Sequence, residues 1–437
     1  MIALYYFCFS LVLFIAGPFL LFKKKARAGL AQKLGFVAKN LSENKSRLAS
    51  CVWFHAVSVG ELNAVLSLIR TFHEKYPHIP LVVSTTTATG QALAKEKFLG
   101  IAEVFYFPFD LPWITGKYLS LLKPRMVVIS ETEIWPGFSH QCKNRGVKLL
   151  VVNGRMSPKS FKSYFRHRNF FGPVLNCYDE IGVQSMEEAK RYSDVAGNVK
   201  VRVLGNLKFD GLEPITDEAI SKLRQDINLP ANRFVLVAGS THEGEETAML
   251  KAYGRMLDTN GGEQASQVRL ILVPRHPERF DHVAATVDQA GYTVRRFSRG
   301  ERFADSGREV YLLDVIGRLF NFYSLASVAF VGGTIAPVGG HNIMEPYAYG
   351  IPAAVGPDLD KTRDVANTLI NSGALAVGKN SEEVVDALLR FYADQDSRIK
   401  AGAAGRTILK SSQGALGKAM NMLSDNLQET PAALAKR

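Results

Sequence analysis

Three carboxylates stand just after apolar, β-rich runs in the first half of this chain. Glu61 follows CVWFHAV (51–57), and Glu131 and Glu133 follow RMVVIS (125–130) in the segment SETEIWPGF. In open α/β sheets, ligands bind beyond the carboxyl ends of strands, so these acids are placed to meet a substrate. A carboxylate there can take a proton from a reacting hydroxyl. Inverting transfer of a group from a phosphate also needs positive charge on the departing oxygen. Lys208, in GNLKFD, is a candidate for that cation; the plain alternative is a solvated linker lysine. For Glu61 a structural reading competes strongly. Ser58 lies three residues earlier, and S-x-x-E before an apolar helix is the spacing of an ordinary capping box. If Glu61 is a base, its side chain should turn away from the helix start and leave Ser58 to cap alone.

The second half offers loops rather than acids. SVAFVGGTIAPVGGHNIMEPYAYG (327–350) reads as a strand, a glycine-rich turn and a helix starting near Asn342. Glycines allow close backbone approach, and free amides at a helix start attract phosphate. Glu345 would lie in the first turn, where it could accept hydrogen bonds from ribose hydroxyls. AGSTHEGEE (238–246) adds amides and the hydroxyls of Ser240 and Thr241. LVPRHPERF (272–280) sets Arg275 and His276 after a strand, and DVIGRLFNFYSLA (314–326) places Gly317 at a turn. Each loop alone is an ordinary αβ turn, but the four together favour a nucleotide pocket. None is a G-x-G-x-x-G or a Walker loop. The D-x-D matches Asp358-Leu359-Asp360 and Asp394-Gln395-Asp396 follow no convincing strand and read as turn or helix-surface residues.

The elements that must position these residues alternate regularly. Further strand candidates are 81–86, 104–110, 148–153 and 180–185, then, past a Gly- and Pro-bearing pause at 203–216, 234–240, 268–275, 292–297, 309–314, 327–333 and 352–357. Strands buried on both faces, with helices between, make parallel sheets. The expectation is an α/β protein of GT-B type: two Rossmann-like domains facing across a cleft, behind an N-terminal membrane-anchor helix. The expected limits are 1–28 for the anchor and basic linker, 29–210 for the first domain and 211–425 for the second. A chain of 437 residues, 47% hydrophobic, can fill two such cores.

Residues 2–22 carry no charge and, at about 21 residues, could cross a bilayer as a helix. Basic residues follow (Lys23, Lys24, Lys25, Arg27, Lys33, Lys39), which predicts a signal anchor with its start outside and the remaining chain cytoplasmic. The alternative is an apolar helix lying on the membrane or docked on the protein. The formal charge of +12 and the basic stretch KSFKSYFRHR (159–168) suit an anionic membrane or an acidic substrate. The second stretch, with Phe161, Tyr164, Phe165 and Phe170, is a candidate lipid-facing or acceptor-facing surface, or simply an amphipathic surface helix. No helix-turn-helix, RNP or zinc-finger signature points to nucleic acid. Cys8, Cys51, Cys142 and Cys177 are far apart, without a C-x-x-C pair, which argues against zinc and fits a reducing compartment.

Taken together, HAVSVGE, SETEIWP, NGR, GNLKFD, PRHPERF and GGHNIMEP resemble the Kdo transferase family, and the likeness runs from the N-terminus to about residue 425. These enzymes move 3-deoxy-D-manno-octulosonic acid (Kdo) from CMP-Kdo onto lipid A precursors. The resemblance implies a GT-B fold, inversion at the anomeric carbon, and work at the cytoplasmic face of the inner membrane without metal or cofactor. By position it implies Glu61 as proton acceptor, with Glu131 and Lys208 stabilising the transition state. It also implies CMP contacts from Arg275 and His276, from Ile316, Gly317 and Arg318, and from Asn342, Ile343, Met344 and Glu345. The implied partners are CMP-Kdo, a lipid A precursor and the inner membrane surface. Two other readings stay open at this point: a GT-B transferase or epimerase using a UDP-sugar, and a membrane-tethered nucleotide-binding protein without catalysis.

Overall fold

The computed structural model describes residues 1–22, 27–259, 267–304 and 308–428. The chain divides into two compact units, Met1–Gly211 with Ser412–Arg437 and Leu212–Ser411. The first holds a seven-stranded sheet of β1 (Val52–His55), β2 (Leu81–Thr85), β3 (Ala102–Tyr106), β4 (Met126–Ser130), β5 (Lys148–Gly154), β6 (Glu180–Val183) and β7 (Val201–Val203). Their order is β3-β2-β1-β4-β5-β6-β7, paired in parallel. This is a doubly wound sheet whose direction of winding reverses between β1 and β4, the place where such sheets bind ligands. Register matters here. His55 lies opposite Ser84 on one side and Ile129 on the other, so β1, β2 and β4 end level. The loops carrying Glu61 and Glu131 therefore leave the same edge.

Alternate residues feed two cores, one on each face. Trp53, Val127 and Ile129 join one cluster, while Val52, Phe54, Met126 and Val128 join the other. The last helix, Ala415–Gln428, supplies Ala415, Ala419, Met422 and Leu423 to the second cluster. The expected second domain, 211–425, is thereby shortened, because the chain rejoins the first unit at Ser412. Specific bonds hold it there. Gly414 N–H donates to Asp210 Oδ1 at 2.6 Å, Tyr76 Oη to Ser424 Oγ at 2.8 Å, and Asn426 Nδ2 to Glu180 Oε2 at 3.0 Å.

The second unit repeats the parallel plan with β8 (Phe234–Thr241), β9 (Val268–Pro274), β10 (Thr293–Arg296), β11 (Glu309–Leu312), β12 (Val328–Val331), β13 (Ala353–Val355) and β14 (Leu375–Val377). Its order is β10-β11-β9-β8-β12-β13-β14, with the reversal between β8 and β12. Two strands were not legible in the sequence, β7 and β14. Both are three-residue edge strands, and neither is buried throughout, so neither needs the continuous apolar run that marks the others.

Ile2–Phe22 is helical. Tyr5 Oη donates to Asp110 Oδ2 at 2.8 Å, Tyr6 Oη to the Gly137 carbonyl at 3.4 Å, and Phe9 and Leu13 pack on the first core. Among the described residues, no helix is long and apolar enough to cross a membrane. The first part of this helix is docked on its own unit. The reason is its tyrosine-bearing face, whose hydroxyls find protein partners. Its other face exposes Leu4, Phe7, Leu11, Val12, Phe14 and Ile15. Of the basic cluster, Lys23, Lys24 and Lys25 lie outside the described residues. Lys33 is buried with its ammonium 5.2 Å from the Tyr106 ring, so it does not face a membrane.

Candidate functional site

In the first unit, helix Val59–Lys75 starts just past β1 with Ser58 as its N-cap. Glu61 N–H donates to Ser58 Oγ at 3.5 Å, and Glu61 Oε2 accepts the Val57 N–H at 2.8 Å. Ser58 caps the helix, and the carboxylate folds back one residue past the N-cap, to Val57. The expectation that the Glu61 side chain would turn away from the helix start is therefore corrected, because the Val57 amide needs an acceptor and Glu61 is in reach. That bond does not remove the carboxylate from the chemistry, however. Burial, chiefly, raises Glu61 to about 7, with Glu131 and Glu133 adding repulsion against the Val57 bond and the Lys208 charge. A base with that proton affinity is matched to neutral pH.

Glu131 continues β4 with φ of 60°, a left-handed conformation that costs a non-glycine residue roughly 1–3 kcal/mol. Its N–H is held by the Val152 carbonyl at 3.0 Å, and its Oε1 accepts from Lys208 Nζ at 2.7 Å. Lys208 is thus a placed cation rather than a solvated linker residue. Its helix, Leu207–Asp210, is capped by Asn206, whose Oδ1 accepts the Lys208 N–H at 3.0 Å. Asn153 Oδ1 accepts the Leu207 N–H at 3.1 Å. Gln184 joins the two asparagines, donating to the Asn153 carbonyl at 3.1 Å and accepting from Asn206 Nδ2 at 3.3 Å. The sequence reading missed Asn153, Gln184 and Asn206 as positioning residues. The available signal was Asn153-Gly154 after a strand, since asparagine tolerates the left-handed φ of 57° found there. Glu133 completes the acidic group, its carboxyl raised by burial and then by Glu131. Glu61, Glu131 and Lys208 are brought together.

The basic aromatic stretch splits in two. Phe161 and Tyr164 pack against the core, whereas Phe165 is exposed with the Arg168 guanidinium 4.7 Å from its ring. Phe170 packs on the rings of Tyr5 and Phe171, so of the four expected aromatics only Phe165 is exposed.

In the second unit, Arg275 and His276 follow β9 and are exposed, with the Arg275 N–H bound to the Thr241 carbonyl at 3.0 Å. The turn Ile316-Gly317-Arg318 is exposed past β11, with Gly317 at φ 83°. Among the described residues, no hydrogen bond or ion pair joins that turn to the Arg275 or Asn342 segments. Ile343 and Met344 are buried, and Asn342 spans the turn, accepting the Met344 N–H and donating to Glu345 Oε1, each at 3.2 Å. The helix expected near Asn342 starts instead at Glu345 and is four residues long. Asn342 uses its side chain to form a turn, which ends any earlier start. Burial raises Glu345 to about 7, while Asn342 and nearby Arg275 pull it back.

The glycine-rich turn holds a larger correction. Its amides were expected to be free for phosphate, yet the buried Glu245 carboxylate occupies them. It accepts from His242 N at 2.8 Å, Gly333 N at 2.9 Å, Thr334 N and Ile335 N at 3.0 Å, and Ala336 N at 3.1 Å. A Cβ on Gly332 would lie 2.3 Å from the Ser240 carbonyl oxygen and 2.7 Å from Glu245 Oε2, so that glycine is dictated by close approach. Thr241 Oγ1 is likewise committed, donating to Glu246 at 2.8 Å. Glu245 escaped the sequence reading because a glutamate in a helix's first turn looks like any other.

Residues 28–211 match the family model of 3-deoxy-D-manno-octulosonic-acid transferase (kdotransferase). The 3-deoxy-D-manno-octulosonic acid transferase of Haemophilus influenzae is 29% identical across 96% of this chain and 96% of its own length. Its counterpart in Rickettsia felis is 31% identical across 80% of this chain and 73% of its own length. A solved glycosyltransferase structure from Rickettsia africae aligns at a TM-score of 0.58, covering 87% of this chain and 100% of that one. At 12% identity, that is a likeness of fold alone.

Proposed function

The chain belongs to the 3-deoxy-D-manno-octulosonic acid transferase family, and on that premise we propose that it moves Kdo from CMP-Kdo onto a lipid A precursor, with inversion and with Glu61 as general base. The observation that carries the mechanism is the grouping in the first unit: a carboxyl raised to about 7 beside Glu131, Glu133 and Lys208. Glu61 takes the proton of an acceptor hydroxyl, and the freed oxygen bonds to C2 of Kdo. The C2–O bond to phosphate breaks, and CMP leaves with the electron pair. Glu131 and Lys208 stabilise the charge that develops in this step; their 2.7 Å bond fixes the lysine in advance, which is how electrostatic stabilisation works best.

The second unit binds the nucleotide through Arg275 and His276, the turn Ile316–Arg318 and the segment Asn342–Glu345. A donor with a single phosphate is neutralised by these side chains, so the reaction proceeds without a metal. The exposed apolar face of the first helix, with Phe7, Leu11 and Phe14, supports attachment to the cytoplasmic side of the inner membrane by lying in its interface. Turnover with CMP-Kdo compared with UDP-sugars tests the donor. Equal or better turnover with a UDP-sugar would replace this reading.

A further inference from the structure

Because Glu245 fills the amides of Gly333, Thr334, Ile335 and Ala336, a phosphate reaching this part of the second unit cannot use them, and nearby side-chain donors take on their role. The carboxyl ends of β8, β9 and β12 supply a group of them. His242 Nε2 and His341 Nε2 are 2.8 Å apart, their rings inclined by only 6° with centroids at 5.1 Å. With ring nitrogens in contact at that centroid distance, the two imidazoles meet edge to edge rather than face to face. The His276 ring stands 5.3 Å from His242 at 78°.

The bond dictates where protons sit. When both rings are neutral, one Nε2 carries hydrogen and the other accepts it. One added proton makes the pair cationic and keeps the bond, and both Nδ1 atoms then carry hydrogen. A second proton would put hydrogen on both facing nitrogens and break the bond. The pair therefore takes one proton and, with it, becomes a cation with two free N–H donors. Its surroundings oppose that proton while no anion is present. Burial lowers His341 to about 4, and His242, Arg275, Lys361 and His276 add to the effect. Burial lowers His242 too, as do His276 and Arg279, against Glu245 and Glu246. Those two acids are themselves engaged, Glu245 by five amides and Glu246 by Arg279 at 2.9 Å.

We propose that His242 and His341 form the phosphate subsite for the donor nucleotide, a bonded imidazole pair that takes up one proton as the phosphate enters. This rests on the reading of the second unit as the donor site. The anion supplies the attraction that the empty site lacks, and Arg275 lies close enough to share the load. Glu245 acts through the turn, holding the His242 amide and the segment that leads to His341.

Isothermal titration of the full-length protein with CMP at pH 8, in two buffers of different ionisation enthalpy, reads both affinity and proton uptake. The expected result is uptake approaching one proton per CMP, and none on binding cytidine, which lacks the phosphate. His341→Gln and, separately, His242→Gln should abolish the uptake and weaken CMP binding about tenfold or more. Both rings are partly exposed, and matched thermal melts confirm that the variants are folded. Uptake that persists in both variants belongs to the phosphate itself and overturns the proposal. So does CMP binding by the wild type without proton exchange, or with an affinity that neither substitution changes. A wild type that binds no CMP overturns the donor-site reading, and the proposal with it.

Discussion

Glu61→Gln should move activity and stability in opposite directions. The native carboxyl sits at about 7 against an ordinary 4.5, a difference of 2.5 pH units. At 1.36 kcal/mol per unit, that is about 3 kcal/mol by which the folded state disfavours the charged form. The sign follows from linkage. With the folded value raised, the native state binds the extra proton, so stability is full below 4.5 and is lost as pH rises through 7. Glutamine carries no charge and escapes that loss at pH 8. It still accepts the Val57 N–H, and the weaker bond of a neutral acceptor is already contained in that 2.5-unit difference. The variant should therefore be about 3 kcal/mol more stable than the wild type at pH 8, and at pH 4.5 about equally stable. Transfer should fall about 100- to 10,000-fold, because the general base is gone. The wild type's acid limb near pH 7 should vanish with it. Melting curves at both pH values and kcat against pH provide the readouts. A variant that keeps near-normal transfer, or gains no stability at pH 8, would refute the assignment and leave Glu61 a structural residue of the helix start.

Lys208→Met removes the cation bound to Glu131 and should lower kcat about 100- to 1,000-fold, with acceptor KM changed much less, as steady-state kinetics would read. Phe7→Glu combined with Phe14→Glu removes about 3 kcal/mol of apolar burial, so flotation with anionic vesicles should fall roughly a hundredfold. Unchanged flotation would assign membrane attachment to another surface.

The parts of this fold that were legible in the sequence share a physical property. Runs such as RMVVIS and VRLILVP are apolar on both faces because their strands are covered on both sides, and that leaves a continuous signature. β7 and β14 lack it as edge strands. The candidate acids were legible from their place after strands, but not their geometry. S-x-x-E correctly marks the helix start at Ser58, and the pattern carries nothing about the burial that raises the proton affinity of Glu61. The glycine-rich turn was legible as a turn of exposed amides. That its amides are already taken depends on Glu245, some ninety residues earlier in the chain, and no local pattern encodes that contact. The first helix was legible as apolar, while the docking of Tyr5 on Asp110 is a long-range pairing invisible to hydropathy. Asn153 and Asn206 position Lys208 through side-chain to backbone bonds whose partners likewise follow from the fold.

The most direct test is mass spectrometry of lipid IVA incubated with CMP-Kdo and the purified protein, wild type beside Glu61→Gln. Wild type should convert the lipid to a product heavier by one or more whole Kdo residues, with stoichiometric release of CMP, while the variant leaves the lipid unmodified over the same time. Unmodified lipid with the folded wild type, or equal conversion by both proteins, would contradict the account.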